Sequence, residues 1–179
     1  GLHFLRNMPG RSTLAAFVAG NTDHFAFVSQ GLKKEFLDLL PGTRRSEISA
    51  RSLVCPMGVA DCGSYFHQGS SPYKSPKILY IGRLERIKGV DVLLRAAEQI
   101  PEADLLIAGA GAGGMRLRKL AASLAVPVKF LGAVGAEEKF RLLAEANVFV
   151  LPSRVMPSGR TEGLPVTLLE AMQVGCPIV

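Results

Sequence analysis

Residues 77–179 alternate regularly between short apolar runs and segments of helical periodicity. Residues 77–81 form a near-continuous apolar run that predicts a buried strand. Residues 89–100 carry apolar side chains at Val90, Leu93 and Leu94, the spacing of one helix face. The alternation continues with strands predicted at residues 104–108, 127–131, 147–151 and 177–179. Helices are predicted at residues 115–124 and 136–145, and a last helix begins at Pro165, which we take as its first residue.

This order of elements predicts an α/β fold in which a Rossmann-like parallel sheet carries helices on both faces. Such sheets bind ligands where their strands end and helix N-termini point. The loops after residues 81, 108, 131 and 151 are therefore the places to search for chemistry.

The front of the chain is patterned differently. Here we predict a helix at residues 14–18, a strand at 24–29, an amphipathic helix at 32–40 and a strand at 52–59. Residues 68–76 are rich in Gly, Ser and Pro, which is typical of a linker. We therefore expect one domain over residues 1–71 and a second over residues 72–179.

Composition narrows the function classes. Hydrophobic residues make up 48% and charged residues 20% of the 179 positions, which excludes a disordered chain. No uncharged run approaches the roughly 18 residues of a membrane span. The net charge of +6 is divided evenly about residue 75, which argues against a nucleic-acid arm and fits an anionic ligand or an anionic membrane surface. Three Cys and three His form no metal-ligand spacing, so we expect neither a metal nor another cofactor.

One carboxylate stands in an otherwise apolar helix. Glu170 is the only charged residue of residues 164–174, and a helix that is apolar nearly all round is buried. A buried carboxylate needs donors, which are either protein groups or ligand hydroxyls. Glu162 lies in the loop just before this helix, beside the free N–H groups of its first turn.

The loop after residue 81 pairs two cations with flanking glycines. Arg83 can grip phosphate oxygens with its planar fork, and Lys88 supplies a mobile point charge. The alternative is a solvated turn. Residues 109–114 match the spacing GxGxxG, but no acidic residue ends the next strand, so we reject a simple dinucleotide site and expect close backbone approach to a ligand or a neighbour.

Three segments together resemble a known family. Residues 80–94, residues 147–153 and residues 162–172 with 175–179 are similar, in this order, to the retaining GT-B glycosyltransferases of family four, the glycosyl transferases group 1. The last segment resembles their signature of two Glu separated by seven residues. The resemblance implies transfer of a sugar from a UDP- or GDP-sugar with retention of configuration. It also implies an acceptor that is a glycan or a lipid-linked glycan, without nucleic acid.

The resemblance also implies roles for individual residues. Arg83 and Lys88 would hold the donor diphosphate, Glu162 would face the donor sugar, and Glu170 would bind ribose hydroxyls. The remaining implied substrate contacts are Gly82, Gly109, Gly111, Phe130, Leu131, Gly132, Gly163, Leu164 and Pro165.

Relative to that family, residues 1–71 would be the last part of an acceptor domain and residues 72–179 a donor domain shortened at its end. We therefore expect the isolated chain to be inactive. A cytoplasmic location, with peripheral contact to the inner face of a membrane, would suit lipid-linked acceptors. Two alternatives stay open: a nucleotide-sugar epimerase of the same architecture, and a non-catalytic module that binds a nucleotide sugar.

Overall fold

A computed structural model describes residues 8–66, 75–124, 126–158 and 162–179. The chain divides into two compact units, residues 1–58 and residues 59–179. The predicted boundary after residue 71 lies outside the described residues, as does most of the predicted linker. Cys62 and Tyr65 pack into the core of the second unit.

The first unit contains a small parallel sheet and three helices: α1 (Arg11–Gly20), β1 (Phe25–Phe27), α2 (Gln30–Asp38), α3 (Gly42–Ala50) and β2 (Ser52–Val54). Ser29 starts α2, because its hydroxyl accepts a hydrogen bond of 3.2 Å from the backbone N–H of Leu32. The rings of Phe25, Phe27 and Phe36 pack together in its core. Helix α3 was not predicted, and β2 ends at Val54, earlier than the predicted strand.

The second unit holds a parallel sheet with the strand order β5-β4-β3-β6. Its strands and helices are β3 (Lys77–Ile81), α4 (Val90–Ala97), β4 (Asp104–Ala108), α5 (Gly114–Ser123), β5 (Val128–Gly132), α6 (Ala136–Glu145), β6 (Val148–Phe149) and α7 (Val166–Val174). A short 3-10 turn, Arg86–Lys88, precedes α4. The predicted strand at residues 177–179 is present as a single parallel bridge from Ile178 to Phe149.

Helices cover both faces of this sheet. On one face, Leu93 and Leu94 of α4 and Leu117 of α5 pack against Tyr80 and Ile107. On the other face, α6 and α7 supply Phe140, Leu143, Ala171 and Val174 against Leu79 and Phe149. Burying each large apolar side chain contributes about 1.5–3 kcal/mol. The predicted α/β arrangement is therefore confirmed for this unit.

Two details of the predicted elements differ. Pro165 is the N-cap of α7, with extended backbone, rather than its first helical residue. Strand β6 is shorter than residues 147–151, although Val150 still donates a backbone hydrogen bond of 2.8 Å to Leu79. Within the described residues, no helix has the length and apolarity needed to cross a membrane.

Candidate functional site

The carboxyl ends of three strands meet at one edge of the sheet in the second unit. Ile81 pairs with Ala108, and Ala108 pairs with Gly132. The backbone N–H of Gly82 donates to Ala108 at 3.0 Å, and that of Gly109 donates to Gly132 at 2.6 Å. The structure thus brings together three of the predicted contact residues, Gly82 and Gly109 from the loops after β3 and β4 and Gly132 from the end of β5.

The glycines after β4 pack against backbone. A Cβ atom on Gly109 would lie 1.8 Å from the carbonyl oxygen of Gly82, and one on Gly111 would lie 2.8 Å from the backbone nitrogen of Leu84. Both glycines also have positive φ, at 137° and 154°. Of the two expectations for this run, a ligand or a neighbour, the groups in close approach are a neighbour: the loop after β3.

Glu162 is held at both carboxylate oxygens. Lys88 donates to one oxygen and the hydroxyl of Ser153 donates to the other. The side chains of Lys88 and Glu162 are largely buried, at 10% and 19% exposure. Partial burial strengthens such charge-assisted bonds relative to water. The structure therefore joins two predicted catalytic residues that lie far apart in sequence.

Arg83 extends from the loop after β3. Its guanidinium is 68% exposed and lies 2.8 Å from the carboxylate of Glu85. Its backbone carbonyl accepts a hydrogen bond of 2.9 Å from the hydroxyl of Tyr80, which is fully buried. Burial raises the pKa of Tyr80 above its ordinary range, and the charges of Glu162 and Glu85 add to this. Tyr80 therefore stays a hydrogen-bond donor and fixes the loop, while the Arg83 side chain reaches outward.

Glu170 of α7 forms an ion pair with another residue of the protein. Its side chain is 6% exposed, and the ammonium of Lys139 in α6 donates to its carboxylate. The need for a donor, inferred from the sequence, is met by this cation. This ion pair joins α6 to α7. Within α6, the Lys139 ammonium also lies 5.1 Å from the centre of the Phe140 ring.

The other predicted contact residues lie along the edge strand and before α7. The Phe130 ring is partly buried under the guanidinium of Arg118, at 4.5 Å, and Leu131 is 38% exposed. Gly163 and Leu164 are exposed, immediately before the N-cap residue Pro165. Within the described part of the chain, no side-chain hydrogen bond or ion pair joins these residues to Glu162 or Glu170. Their place in the site therefore stays a prediction.

Sequence reasoning did not identify Ser153, Lys139 or Tyr80 as members of this site. Ser153 could have been noticed because it follows a predicted strand end. Lys139 gave no such signal, because its pairing with Glu170 is set only by how α6 packs beside α7. For Tyr80 the sequence predicts only a place in a buried strand.

Solved structures share the fold of this chain. The structure of Anabaena Alr3699/HepE in complex with UDP and glucose gives a TM-score of 0.73 at 19% identity, covering 99% of this chain and 50% of that chain. Sucrose-phosphate synthase from Thermosynechococcus elongatus gives a TM-score of 0.70 at 23% identity, covering 99% and 47%. At these identities the likeness concerns the fold alone, and it confirms the predicted GT-B class.

Sequence comparison adds the family. A mannosyltransferase of Corynebacterium glutamicum, described as GDP-mannose-dependent and acting on a monoacylated phosphatidylinositol monomannoside, is 37% identical over 59% of this chain and 29% of its own length. The putative colanic acid biosynthesis glycosyltransferase WcaL of Salmonella typhimurium is 31% identical over 72% of this chain and 35% of its own length. The chain thus spans about a third of these relatives.

Residues 64–179 match the family described as glycosyl transferases group 1. The matched segment is well over half of the chain and contains Arg83, Lys88, Glu162 and Glu170. The chain belongs to this family, as its resemblance implied.

Proposed function

We propose that the complete protein transfers a sugar from a nucleoside-diphosphate sugar to an acceptor hydroxyl with retention of anomeric configuration. The bond between the anomeric carbon and the diphosphate oxygen breaks, and the diphosphate leaves with the electron pair. The acceptor oxygen bonds to the same face of the sugar. The products are the glycoside, the nucleoside diphosphate and a proton.

The observation that carries this proposal is the arrangement of Lys88, Glu162 and Ser153 at the carboxyl edge of the sheet. A leaving diphosphate needs positive charge in place before the reaction, and Lys88 and Arg83 both arise from the loop after β3. Glu162, fixed at both oxygens, would face the sugar. Glu170 would accept hydrogen bonds from ribose hydroxyls while Lys139 balances its charge.

The ligands named for similar proteins support the donor class. One relative is described as GDP-mannose-dependent, and the HepE structure holds UDP and glucose. We therefore propose a UDP- or GDP-sugar as donor. The acceptor that we propose is a glycan or a lipid-linked glycan, in line with the acceptor named for the mannosyltransferase.

Calorimetric titration of the complete protein with UDP and with GDP tests the donor site. One nucleotide should bind, and Arg83→Ala and Glu170→Ala should each weaken that binding at least tenfold. Arg95→Ala removes an exposed arginine of α4 and serves as the charge-matched control. If the protein binds neither UDP nor GDP, the proposal is refuted.

Product analysis separates transfer from epimerisation. With donor alone, an epimerase would interconvert the sugar of the nucleotide sugar, whereas the proposed transferase would leave it unchanged. With acceptor present, proton NMR of the glycoside should show the anomeric configuration of the donor. An inverted product would refute retention while leaving transfer intact.

A further inference from the structure

A second arginine, outside all the predicted sites, connects the two loops that carry Lys88 and Ser153. The backbone N–H of Arg154 donates to the carbonyl of Ile87 at 2.9 Å, and its Nε donates to the carbonyl of Arg86 at 2.9 Å. Its terminal nitrogen lies 3.2 Å from the carboxylate of Asp91, in the first turn of α4. Arg154 therefore holds both the 3-10 turn and the start of the following helix.

The two loops approach each other closely where Arg154 joins them. A Cβ atom on Gly89 would lie 1.9 Å from the carbonyl oxygen of Pro152, so the backbones are in direct contact. Lys88 stands between Ile87 and Gly89, and both of these neighbours touch residues 152–154. The backbone position of Lys88 is thus set by the loop after β6.

The contacts close into a ring. From Lys88 the ring passes through its ion pair to Glu162 and from there to the hydroxyl of Ser153. Ser153 is bonded in sequence to Arg154, which returns through Ile87 to Lys88. The ring therefore links the position of Arg154 to that of the Lys88–Glu162 ion pair.

We propose that Arg154 is a positioning residue for the donor diphosphate, which acts by holding the Arg86–Lys88 turn in the place where the Lys88 ammonium meets the phosphate oxygens. This inference rests on the proposed function, because it takes a diphosphate as the ligand of Lys88. Small displacements of a group that positions a substrate have large effects on its action. Arg154→Met should therefore weaken nucleoside-diphosphate binding about tenfold, as loss of a charge-assisted hydrogen bond does.

Arg116 provides a matched control. Its guanidinium lies 4.0 Å from the same carboxylate, Asp91, and is half exposed. Among the described contacts, however, Arg116 has none with the carbonyls of the 3-10 turn. Arg116→Met should leave nucleotide affinity unchanged within about twofold. A general weakening of α4 by loss of charge beside Asp91 would affect both variants, whereas the positioning role concerns only Arg154.

Calorimetry on the complete protein, with UDP and GDP and with UMP and GMP as probes lacking the second phosphate, tests the inference. Arg154→Met should weaken binding of the diphosphate and leave the monophosphate nearly unchanged. In the Lys88→Met background, Arg154→Met should cause little further loss, because it acts through Lys88. Arg154→Lys keeps the charge but has one nitrogen in place of the two that bond Arg86 and Asp91. It should therefore give an intermediate loss, and it provides a second variant if Arg154→Met does not fold.

The outcomes separate the two proposals. If the unaltered protein binds neither diphosphate, the proposed function fails and the role of Arg154 fails with it. If the unaltered protein binds and Lys88→Met weakens binding, but Arg154→Met and Arg154→Lys do not, only the inference is overturned. Equal losses for diphosphate and monophosphate, or full additivity with Lys88→Met, would likewise overturn it by showing a merely structural role.

Discussion

Replacing Gly89 by alanine tests how tightly the loops after β3 and β6 are joined. Gly89 has φ of +65°, and an alanine there costs about 1–2 kcal/mol for the left-handed backbone alone. The added Cβ would also lie 1.9 Å from the Pro152 carbonyl oxygen, whereas real Cβ contacts essentially never fall below 3.0 Å. The Pro152 atom is backbone and cannot rotate away, so the loops must separate by about 1 Å, a strain that we place at about 1–3 kcal/mol. The expected total loss of unfolding free energy is about 2–5 kcal/mol.

Gly63→Ala is the matched control, because Gly63 lies in the same unit, has φ of +62° and has nothing within 4 Å of an added Cβ. It should lose only the backbone contribution of about 1–2 kcal/mol. Urea unfolding of both variants, followed by circular dichroism and extrapolated linearly to water, measures the difference. Equal losses in the two variants would show that the close approach at Gly89 is not maintained, and the reasoning would be wrong.

Three other changes test separate features. Lys139→Met leaves the buried Glu170 carboxylate without its cation and should lower the free energy of unfolding by about 2–4 kcal/mol. Lys139→Arg keeps the charge and should retain most of the stability. Tyr80→Phe removes the hydrogen bond to the Arg83 carbonyl and should cost about 1 kcal/mol in the same urea assay. Burial raises the pKa of Cys176 from 9.0 to about 11, so the folded state keeps the thiol proton longer. Stability should therefore fall as pH rises between these values, by about 1.4 kcal/mol per unit, and Cys176→Ser should reduce this slope.

Each of these has a contradicting result. Equal destabilisation by Lys139→Met and Lys139→Arg would mean that shape rather than charge matters beside Glu170. A Tyr80→Phe variant as stable as the unaltered protein would mean that the Arg83 carbonyl finds another donor. An unchanged pH slope in Cys176→Ser would assign the alkaline loss to other groups, of which Tyr80 is one.

The elements with a strong apolar period were predictable. Helix α6 occupies the predicted residues, and β3 and β4 do as well, because their pattern is set by burial on one face or on both. Helix α3 was missed because Ile48 is its only buried side chain, so residues 42–50 show no periodic apolar stripe. Strand β2 ends early: the backbone N–H of Cys55 still donates to the carbonyl of Phe27 at 2.8 Å, but the last residue pair between β1 and β2 is Phe27 with Val54.

The site was predictable as a set of candidates but not as a network. The sequence indicated that Glu170 needs a donor, because a buried carboxylate cannot be left unpaired. It could not select Lys139, which lies on another helix and has the same local pattern as an exposed lysine. The pairing of Lys88 with Glu162 depends in the same way on two loops meeting at the sheet edge. Such long-range contacts are determined by packing, which local periodicity does not encode.

The glycines after β4 limit where this protein can be redesigned. Gly109, Gly111 and Gly113 are each pressed against the backbone between Gly82 and Leu84, so no larger residue fits at these positions without moving both loops. A mutant library aimed at the specificity of the proposed donor site would lose most of its members if it randomised this run. The partly exposed Phe130 and Leu131, on the edge strand, and the exposed Gly163 and Leu164 before α7 have room for other side chains. Under the proposed function, substitutions at those four positions are the ones that the fold tolerates, while the loop after β4 is best kept unchanged.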